Sequence, residues 1–302
     1  MTIVKTTAIA LALTVAAFNA HAEGMKPFIL GYKTTGSLET VVEDVKAKLS
    51  AAKFEIVGSY TPYAGATIIA ITNDTLKNAA AKTEFGAYGA GERVTVTQVG
   101  EEIQVSYNNP SYLDAAYRMD APAELASVSK TLEGALGKAE EYGVETPLTS
   151  AKLDKFNYMV GMEKFDDPSD LASYANYDEA IAAVEKSLAE HAGGASKVYR
   201  IDIPGKKQTV FGVGLAKYND QTCQSDAFIM SEIDFKPIRS TGHLPYEIVV
   251  TEGEVQALYA RFRIAINYPE LKMVGKNSFL NIMCAPEAIE KALEAAAGNK
   301  GA

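Results

Sequence analysis

The sequence predicts an α+β protein built from two duplicated domains, each an antiparallel sheet with helices packed on one face. A helical pattern of apolar residues begins at Ser37 and occurs again from Asn176. Matching strands, a hairpin and a final helix then follow in the same order in each half. Duplication with longer loops in the second half explains this repetition better than chance.

The N-terminal segment predicts export. Lys5 precedes an apolar run over residues 8–18, and Ala20-His21-Ala22 has the small-x-small pattern at which signal peptides are cleaved. The run is too short for a bilayer, which needs about 20 residues. We therefore expect a signal peptide over residues 1–22, cleaved after Ala22, and a periplasmic mature chain with no membrane anchor.

The first domain is predicted over residues 23–150 and the second over residues 151–302. In the first domain we expect a leading strand over 28–33, a helix from Ser37, strands over 54–60 and 67–71, a hairpin turning at Gly100 and a last helix from Ala121-Pro122. The second domain is expected to have a leading strand over 155–162, a helix from Asn176, strands over 197–203 and 209–213, a hairpin turning at Gly253 and a last helix from Ala285-Pro286. Proline at the first helical position favours both final helices.

Two shorter motifs extend the repeat. Asn73-Asp74 is matched with Asn219-Asp220, and Asn108-Asn109-Pro110 is matched with Asn267-Tyr268-Pro269. Each pair lies in the expected order between longer matches. We therefore predict that the members of each pair occupy equivalent places in the two domains.

The first half resembles a known bacterial family. The helix SLETVVEDVKAKL, the strand pair after it and the later stretch VSYNNPSYLDAAYRM are similar to the family catalogued as domain of unknown function 302. The second half has a similar stretch, HLPYEIVV, over residues 243–250. The resemblance covers most of residues 37–119 and, less closely, residues 176–270. It implies a compact α+β domain and no established activity.

Composition excludes several classes of protein. The chain has 38 acidic and 29 basic residues, which argues against nonspecific binding to nucleic acid. Two cysteines and three histidines are too few for zinc fingers or multi-histidine sites, so neither a metal nor a cofactor is predicted. The sequence contains no Gly-x-Ser-x-Gly, His-Glu-x-x-His or Walker motif. The glycine-rich run GAYGAGE is predicted to be a flexible loop.

Four cationic side chains are candidates for a ligand site. Arg261 and Arg263 alternate with apolar residues in QALYARFRIAI, and on a strand both would lie on one face. Together with Arg239 and His243, they could bind an anion or a carboxylate. Alternatively, the arginines form a solvated face paired with surface acids, and His243 is a loop histidine bonded to the backbone.

The cysteines have two interpretations. Export favours a disulfide between Cys223 and Cys284. The alternative is two unpaired thiols, with Cys223 exposed for ligand or redox use. Met230, Met273 and Met283 also suggest a copper(I) site, but without metal-binding spacing we expect them to pack in the core.

Two functions remain open. The first is a non-catalytic envelope protein that binds a small molecule or a protein partner, because no catalytic motif is present. The alternative is a periplasmic redox or hydrolytic enzyme centred on Cys223, Asp226 and His243.

Overall fold

The computed structural model describes residues 24–299 and confirms the α+β class. The predicted signal peptide and its cleavage point lie outside the described residues. Every paired strand is antiparallel to its neighbours, as expected. No helix within residues 24–299 is long and apolar enough to cross a membrane.

The first sheet has six strands. These are β1 to β6, over Phe28–Thr34, Glu55–Tyr60, Ala66–Thr72, Glu92–Val99, Glu102–Asn108 and Glu140–Tyr142. Their order across the sheet is β2-β3-β4-β5-β1-β6. The helices in this part of the chain are α1 to α5, over Leu38–Ala51, Asp74–Ala80, Pro110–Ala116, Pro122–Leu136 and Ser150–Asp154.

The second sheet has five strands. These are β7 to β11, over Ser169–Ser173, Ala195–Asp202, Gln208–Leu215, Tyr246–Thr251 and Glu254–Ala257. Their order is β7-β11-β10-β9-β8. The helices here are α6 to α9, over Tyr177–Ala189, Asp226–Ile233, Ala260–Asn267 and Ala285–Ala296. Short 3-10 turns lie at Gly86–Gly89, Ala192–Gly194, Thr241–His243 and Phe279–Ile282.

The two sheets share one strand order. If β1 to β5 are matched with β7 to β11 in chain order, the strand order is the same in both sheets, and β6 adds one further strand beyond β1 in the first. The hairpins that turn at Gly100 and Gly253 therefore occupy the same place in each sheet. The duplication itself stays a prediction, because a shared topology does not establish common descent.

Local signals account for the amphipathic helices α1 and α6. The Ser37 side chain caps α1 by accepting a hydrogen bond from the Thr40 amide, and Asn176 caps α6 by accepting one from the Glu179 amide. Such caps satisfy amide groups that the helix itself leaves free. The buried faces of these helices are apolar, formed by Val41, Val42, Val45 and Leu49 in α1 and by Ala180, Val184 and Leu188 in α6.

The leading strand predicted at residues 155–162 is wrong. These residues follow α5 as turns, and the first strand of the second sheet is β7, over Ser169–Ser173. The Asn157 side chain accepts a hydrogen bond from the Met159 amide, which stabilises a local turn instead of an extended strand. Met159 and Val160 consequently lie exposed on the surface.

Both short motif pairings are also wrong as structural equivalences. Asn73 caps α2, whereas the corresponding helix α7 begins after Ser225 and not after Asn219. Pro110 begins α3 directly after β5, but Asn267-Tyr268-Pro269 lies at the end of α8. Similar dipeptides occur in both halves because turns and caps favour the same residue types.

The two sheets meet where β2 packs against β8. A Cβ atom added to Gly58 of β2 would collide with the carbonyl oxygen of Val198 in β8. This close approach leaves no room for a side chain at Gly58. One hydrophobic core therefore includes residues from both halves, among them Ile71, Tyr199 and Val210.

Candidate functional site

A buried cluster of charges joins the two halves. It consists of Arg93 from β4, Glu247 from β10 and Arg263 from α8, whose side chains are each 1% exposed. Arg263 Nε donates to Glu247 Oε2 at 3.0 Å, and the Arg93 guanidinium contacts Glu247 Oε1. We call these three residues the arginine–glutamate cluster.

The charges of this cluster are paired with other groups inside the protein. Arg263 Nη2 also donates to the carbonyl oxygens of His243 at 2.9 Å and Pro245 at 3.1 Å. Burial lowers the pKa of Arg93 and raises that of the adjacent Glu92 to about 8. Buried ions of this kind need partners because removal from water is costly. Arg263 thus holds the interior together and does not face solvent.

His243 lies beside this cluster. Its ring is 1% exposed, and its Nε2 is 3.2 Å from the hydroxyl of Tyr246. The ring also packs edge-on against Tyr246 and Tyr268. Burial, followed by the charges of Arg263 and Arg93, lowers the pKa of His243 well below its usual value. The imidazole is therefore neutral near pH 7 and shielded from solvent.

The prediction that Arg261 and Arg263 share a strand face is wrong. Both lie on helix α8, where residues two apart point in different directions. Arg261 pairs with Glu163 through two contacts, Nε to Oε2 at 3.1 Å and Nη2 to Oε1 at 2.5 Å. Arg239 is half-buried, and its guanidinium donates to the backbone carbonyl of Asp234. The structure brings Arg263 and His243 together and gives the other two arginines separate partners.

The predicted disulfide is confirmed. Cys223 and Cys284 are bonded, with Cα atoms 5.8 Å apart, and no cysteine of the chain is left as a free thiol. The bridge ties the loop before α7 to the residue that precedes α9.

The expected core packing of the methionines holds only for Met230, which is 3% exposed. Met273 and Met283 are 51% and 64% exposed, so the core prediction is wrong for them. Both lie in the irregular segment between α8 and α9.

An apolar groove of about 260 Å³ lies between this segment and the loop after α5. We call it the methionine groove. Its principal apolar lining residues are Tyr158, Met159, Met162, Leu271, Met273 and Phe279. The same two segments also expose Val160, Val274, Leu280 and Met283. Exposed apolar residues concentrated around a groove are typical of an interaction site.

Hydrogen bonds hold the second segment in place. The Phe279 amide donates to the Lys272 carbonyl at 2.8 Å, and the Leu280 amide donates to the Met273 carbonyl at 3.1 Å. Asn277 Nδ2 donates to the carbonyl of Glu232 at 2.9 Å. The disulfide fixes the end of the segment at Cys284. This wall of the groove is therefore ordered before any partner binds.

The two segments that form the groove carry cations. Residues 155–164 and 271–283 contain four lysines, Lys155, Lys164, Lys272 and Lys276, none of which is among the lining residues of the groove itself. Glu163 is the one acidic residue in these two segments, and Arg261 pairs with it. A local positive charge is unusual in a chain whose net charge is -9. Apolar and acidic chemistry in a partner would complement this surface.

Comparisons of the chain with protein-family models, curated proteins and solved structures found no match. Within residues 24–299, no group of three or more histidine, cysteine, aspartate or glutamate residues is arranged to hold a metal ion.

Sequence reasoning missed the methionine groove. The sequence predicts that Met273 and Met283 pack in the core, not that they lie beside a surface groove. A useful signal was the run VGKNS over residues 274–278, because glycine, lysine, asparagine and serine interrupt the apolar residues as in a surface loop. That signal places Met273 near solvent but does not reveal Met159 beside it.

Proposed function

We propose that this chain is an exported, non-catalytic envelope protein that binds a partner protein through the methionine groove. The observation that carries the proposal is the apolar groove, with further exposed apolar residues and lysines in the two segments that form it. Methionine side chains are flexible and polarisable, so they adapt to apolar groups of different shape. A groove built from them suits recognition of apolar side chains.

The size of the groove favours a protein segment over a small molecule. Its volume of about 260 Å³ is below the roughly 300–1,000 Å³ typical of small-molecule pockets. The exposed apolar surface continues beyond the groove onto Val274 and Leu280. One or two anchoring side chains of a partner would fill the groove, while neighbouring residues cover the rim. Acidic residues in that partner segment would pair with Lys272 and Lys276.

The state of the polar residues supports binding over catalysis. The alternative, a redox or hydrolytic enzyme using Cys223 and His243, needs a reactive thiolate and an accessible imidazole. Cys223 is in a disulfide, and His243 is buried with a lowered pKa. Glu247 is the carboxylate closest to this histidine along the chain, and its two oxygens form ion pairs with Arg93 and Arg263.

The proposed location is the periplasm, after cleavage of the signal peptide following Ala22. The disulfide supports this location because such bonds persist in oxidising compartments. Sequencing of the exported protein should give Glu23 as its first residue, and a retained Met1 in the periplasmic fraction would contradict export.

Duplication of a domain similar to the domain of unknown function family 302 remains part of this proposal. The shared strand order of the two sheets supports it.

Selection from a library of displayed random peptides tests the binding function. The wild-type protein should enrich peptides that combine apolar and acidic residues. The double variant Val274→Glu, Leu280→Glu should lose this enrichment, because it places negative charge on the apolar rim. Tyr218→Glu changes another exposed residue, away from the groove, and should enrich the same peptides as the wild type.

Two outcomes would contradict a protein partner. One is enrichment that does not differ between the wild type and the double variant. The other is an absence of enriched peptides combined with binding to vesicles of anionic phospholipid, which would assign the same apolar and cationic surface to a membrane.

A further inference from the structure

A cavity of about 520 Å³ lies between helices α6 and α9 of the second half. Its volume is within the range of small-molecule sites. The cavity shares no lining residue with the methionine groove. We call it the α6–α9 cavity. Its lining includes Ala183, Ser187, Gln224, Ala292 and Ala295.

The apolar part of this lining is made of small residues. The methyl groups of Ala183, Ala292 and Ala295 line the space, and no long apolar side chain fills it. Tyr174 adds an aromatic side chain, whose hydroxyl donates to the Ala297 carbonyl at 2.7 Å and is therefore already satisfied. These groups offer a ligand a shallow apolar surface of methyl groups beside one aromatic residue.

Ser187 provides the first unpartnered polar group. The residue is 9% exposed, and its hydroxyl has no hydrogen bond among the described residues. In α4, by contrast, the Thr131 hydroxyl donates to the Ser127 carbonyl one turn earlier, which is a common arrangement for hydroxyls on helices. A Cβ atom built on Gly298, another lining residue, would lie 3.3 Å from Ser187 Oγ. The hydroxyl is therefore directed at the cavity and away from the helix backbone.

Gln224 provides the second. The residue is 4% exposed, and its Nε2 donates to the carbonyls of Gly193 and Ala216. These two bonds fix the orientation of the amide, and its Oε1 has no hydrogen-bond partner among the described residues. Neither Gln224 Oε1 nor Ser187 Oγ is fully enclosed by protein, so a ligand in the cavity can reach both. Buried side chains are nearly always satisfied, so a ligand that bonds to both oxygens would account for two exceptions in one place.

The charged groups of the cavity are already paired. Lys186 lies 3.9 Å from Glu190, and Lys291 lies 2.7 Å from Glu287. Both lysines are lining residues, so each cation that faces the cavity has a carboxylate partner. An anionic ligand would have to compete with these carboxylates. The arrangement therefore favours an uncharged ligand.

We propose that the α6–α9 cavity binds a neutral saccharide. One sugar hydroxyl donates to Gln224 Oε1, and another exchanges a hydrogen bond with Ser187 Oγ. The C–H groups of the sugar ring pack on the alanine methyl groups. A purely apolar ligand would leave both oxygens unsatisfied, and a charged sugar would lose water without gaining an unpaired counterion. The site is separate from the methionine groove and does not depend on the partner protein proposed above.

Titration calorimetry with neutral and charged sugars tests the proposal. The neutral probes are glucose, galactose, N-acetylglucosamine and maltose, and the charged ones are glucuronate and glucosamine. The wild type should bind at least one neutral probe, and more tightly than either charged probe. Raising the salt concentration should leave this binding nearly unchanged, because no ion pair is formed.

Two variants on helix α6 form a matched pair. Ala183→Gln places a long side chain in the cavity and should weaken saccharide binding at least tenfold. Ala182→Gln makes the same change at an exposed neighbour that does not line the cavity, so it should bind like the wild type.

Ser187→Ala separates binding from folding. The hydroxyl has no partner in the free protein, so its removal should leave the unfolding free energy unchanged. Loss of one hydrogen bond to the sugar should nevertheless weaken binding about threefold to tenfold. The groove variant Val274→Glu, Leu280→Glu should bind the saccharide like the wild type, whether or not it has lost peptide binding.

Three results would overturn the proposal. The first is that none of the four neutral sugars binds the wild type. The second is that glucuronate or glucosamine binds as tightly as the best neutral sugar. The third is that folded Ala183→Gln and Ser187→Ala proteins both bind like the wild type.

Discussion

Arg93 and Glu247 form a buried ion pair between two strands that hold the same place in their sheets. Each is the second residue of its strand, β4 or β10, and each strand is third in an order that both sheets share. Counted back from Val99 and Thr251, the last paired residues before each hairpin turn, Arg93 is six residues away and Glu247 four, so the two are not equivalent positions. The pair instead joins the two sheets through an interior strand of each.

We expect the arginine–glutamate cluster to respond unequally to removal of its members. Glu247→Gln leaves two buried guanidinium groups without a counterion and should lower the free energy of unfolding by about 3–5 kcal/mol. Arg93→Met leaves Glu247 paired with Arg263, so it should cost markedly less. Urea unfolding of both variants measures the difference.

The control for this comparison is Glu254→Gln, which changes an exposed carboxylate on the adjacent strand β11. Its effect should be within about 0.5 kcal/mol of zero. Equal losses of unfolding free energy for Glu247→Gln and Arg93→Met would show that the unpaired positive charge left by Glu247→Gln does not destabilise the fold.

The disulfide should make a large contribution to stability. It closes a loop with a sequence separation of 61, for which the chain-entropy model gives about 4 kcal/mol. Unfolding of the double variant Cys223→Ala, Cys284→Ala should show this loss relative to the oxidised wild type. Thiol titration of the denatured, unreduced wild type should find no reactive thiol. Two thiols per chain would refute the bridge.

The pH dependence of stability should contain a contribution from Asp226. Burial raises its pKa from 3.8 to about 7, although the Leu215 amide and the Tyr60 hydroxyl both donate to Oδ2. Between these values the folded protein retains a proton that the unfolded chain releases. Raising the pH from about 4 to about 7 therefore removes stability, at up to about 1.4 kcal/mol per pH unit for this group.

Asp226→Asn isolates that contribution, because its amide oxygen still accepts hydrogen bonds but does not ionise. Relative to the wild type, the variant should gain stability steadily as the pH rises through this window. Asp178→Asn changes an exposed residue, so the stability of this variant should change with pH as that of the wild type does in the same unfolding series. A stability difference between Asp226→Asn and the wild type that does not change with pH would mean that Asp226 ionises normally in the folded protein.

The elements with local signals were predictable from the sequence alone. Ser37 and Asn176 mark helix starts because a cap and an amphipathic face are encoded within one stretch of chain. The hairpin turn at Gly100 was equally predictable, since a glycine separates two runs of alternating residues, and in the structure this glycine has a positive φ of 64°. Having only two cysteines in a chain predicted to be exported favoured a disulfide over two unpaired thiols, and the structure shows the disulfide.

The conformation of the segment around Arg261 and Arg263 depends on packing between distant parts of the chain. Its alternating pattern resembles a strand, but α8 packs on two sides. Phe262 and Ile266 belong to one hydrophobic core and Ile264 to the other, so apolar residues occur all around the helix. An alternating pattern of apolar residues then does not distinguish a strand from a helix, because both faces of the element are buried.

The methionine groove and the burial of Asp234 also depend on contacts between distant parts of the chain. The methionine groove joins the loop at Met159 to the segment at Met273, which are far apart along the chain. Nothing in the sequence distinguishes Asp234 from the rest of the 38 acidic side chains. Its burial, and the oxygen that burial leaves unsatisfied, depend on neighbours that only the folded chain brings together, because solvation is a property of the surrounding structure and not of residue type.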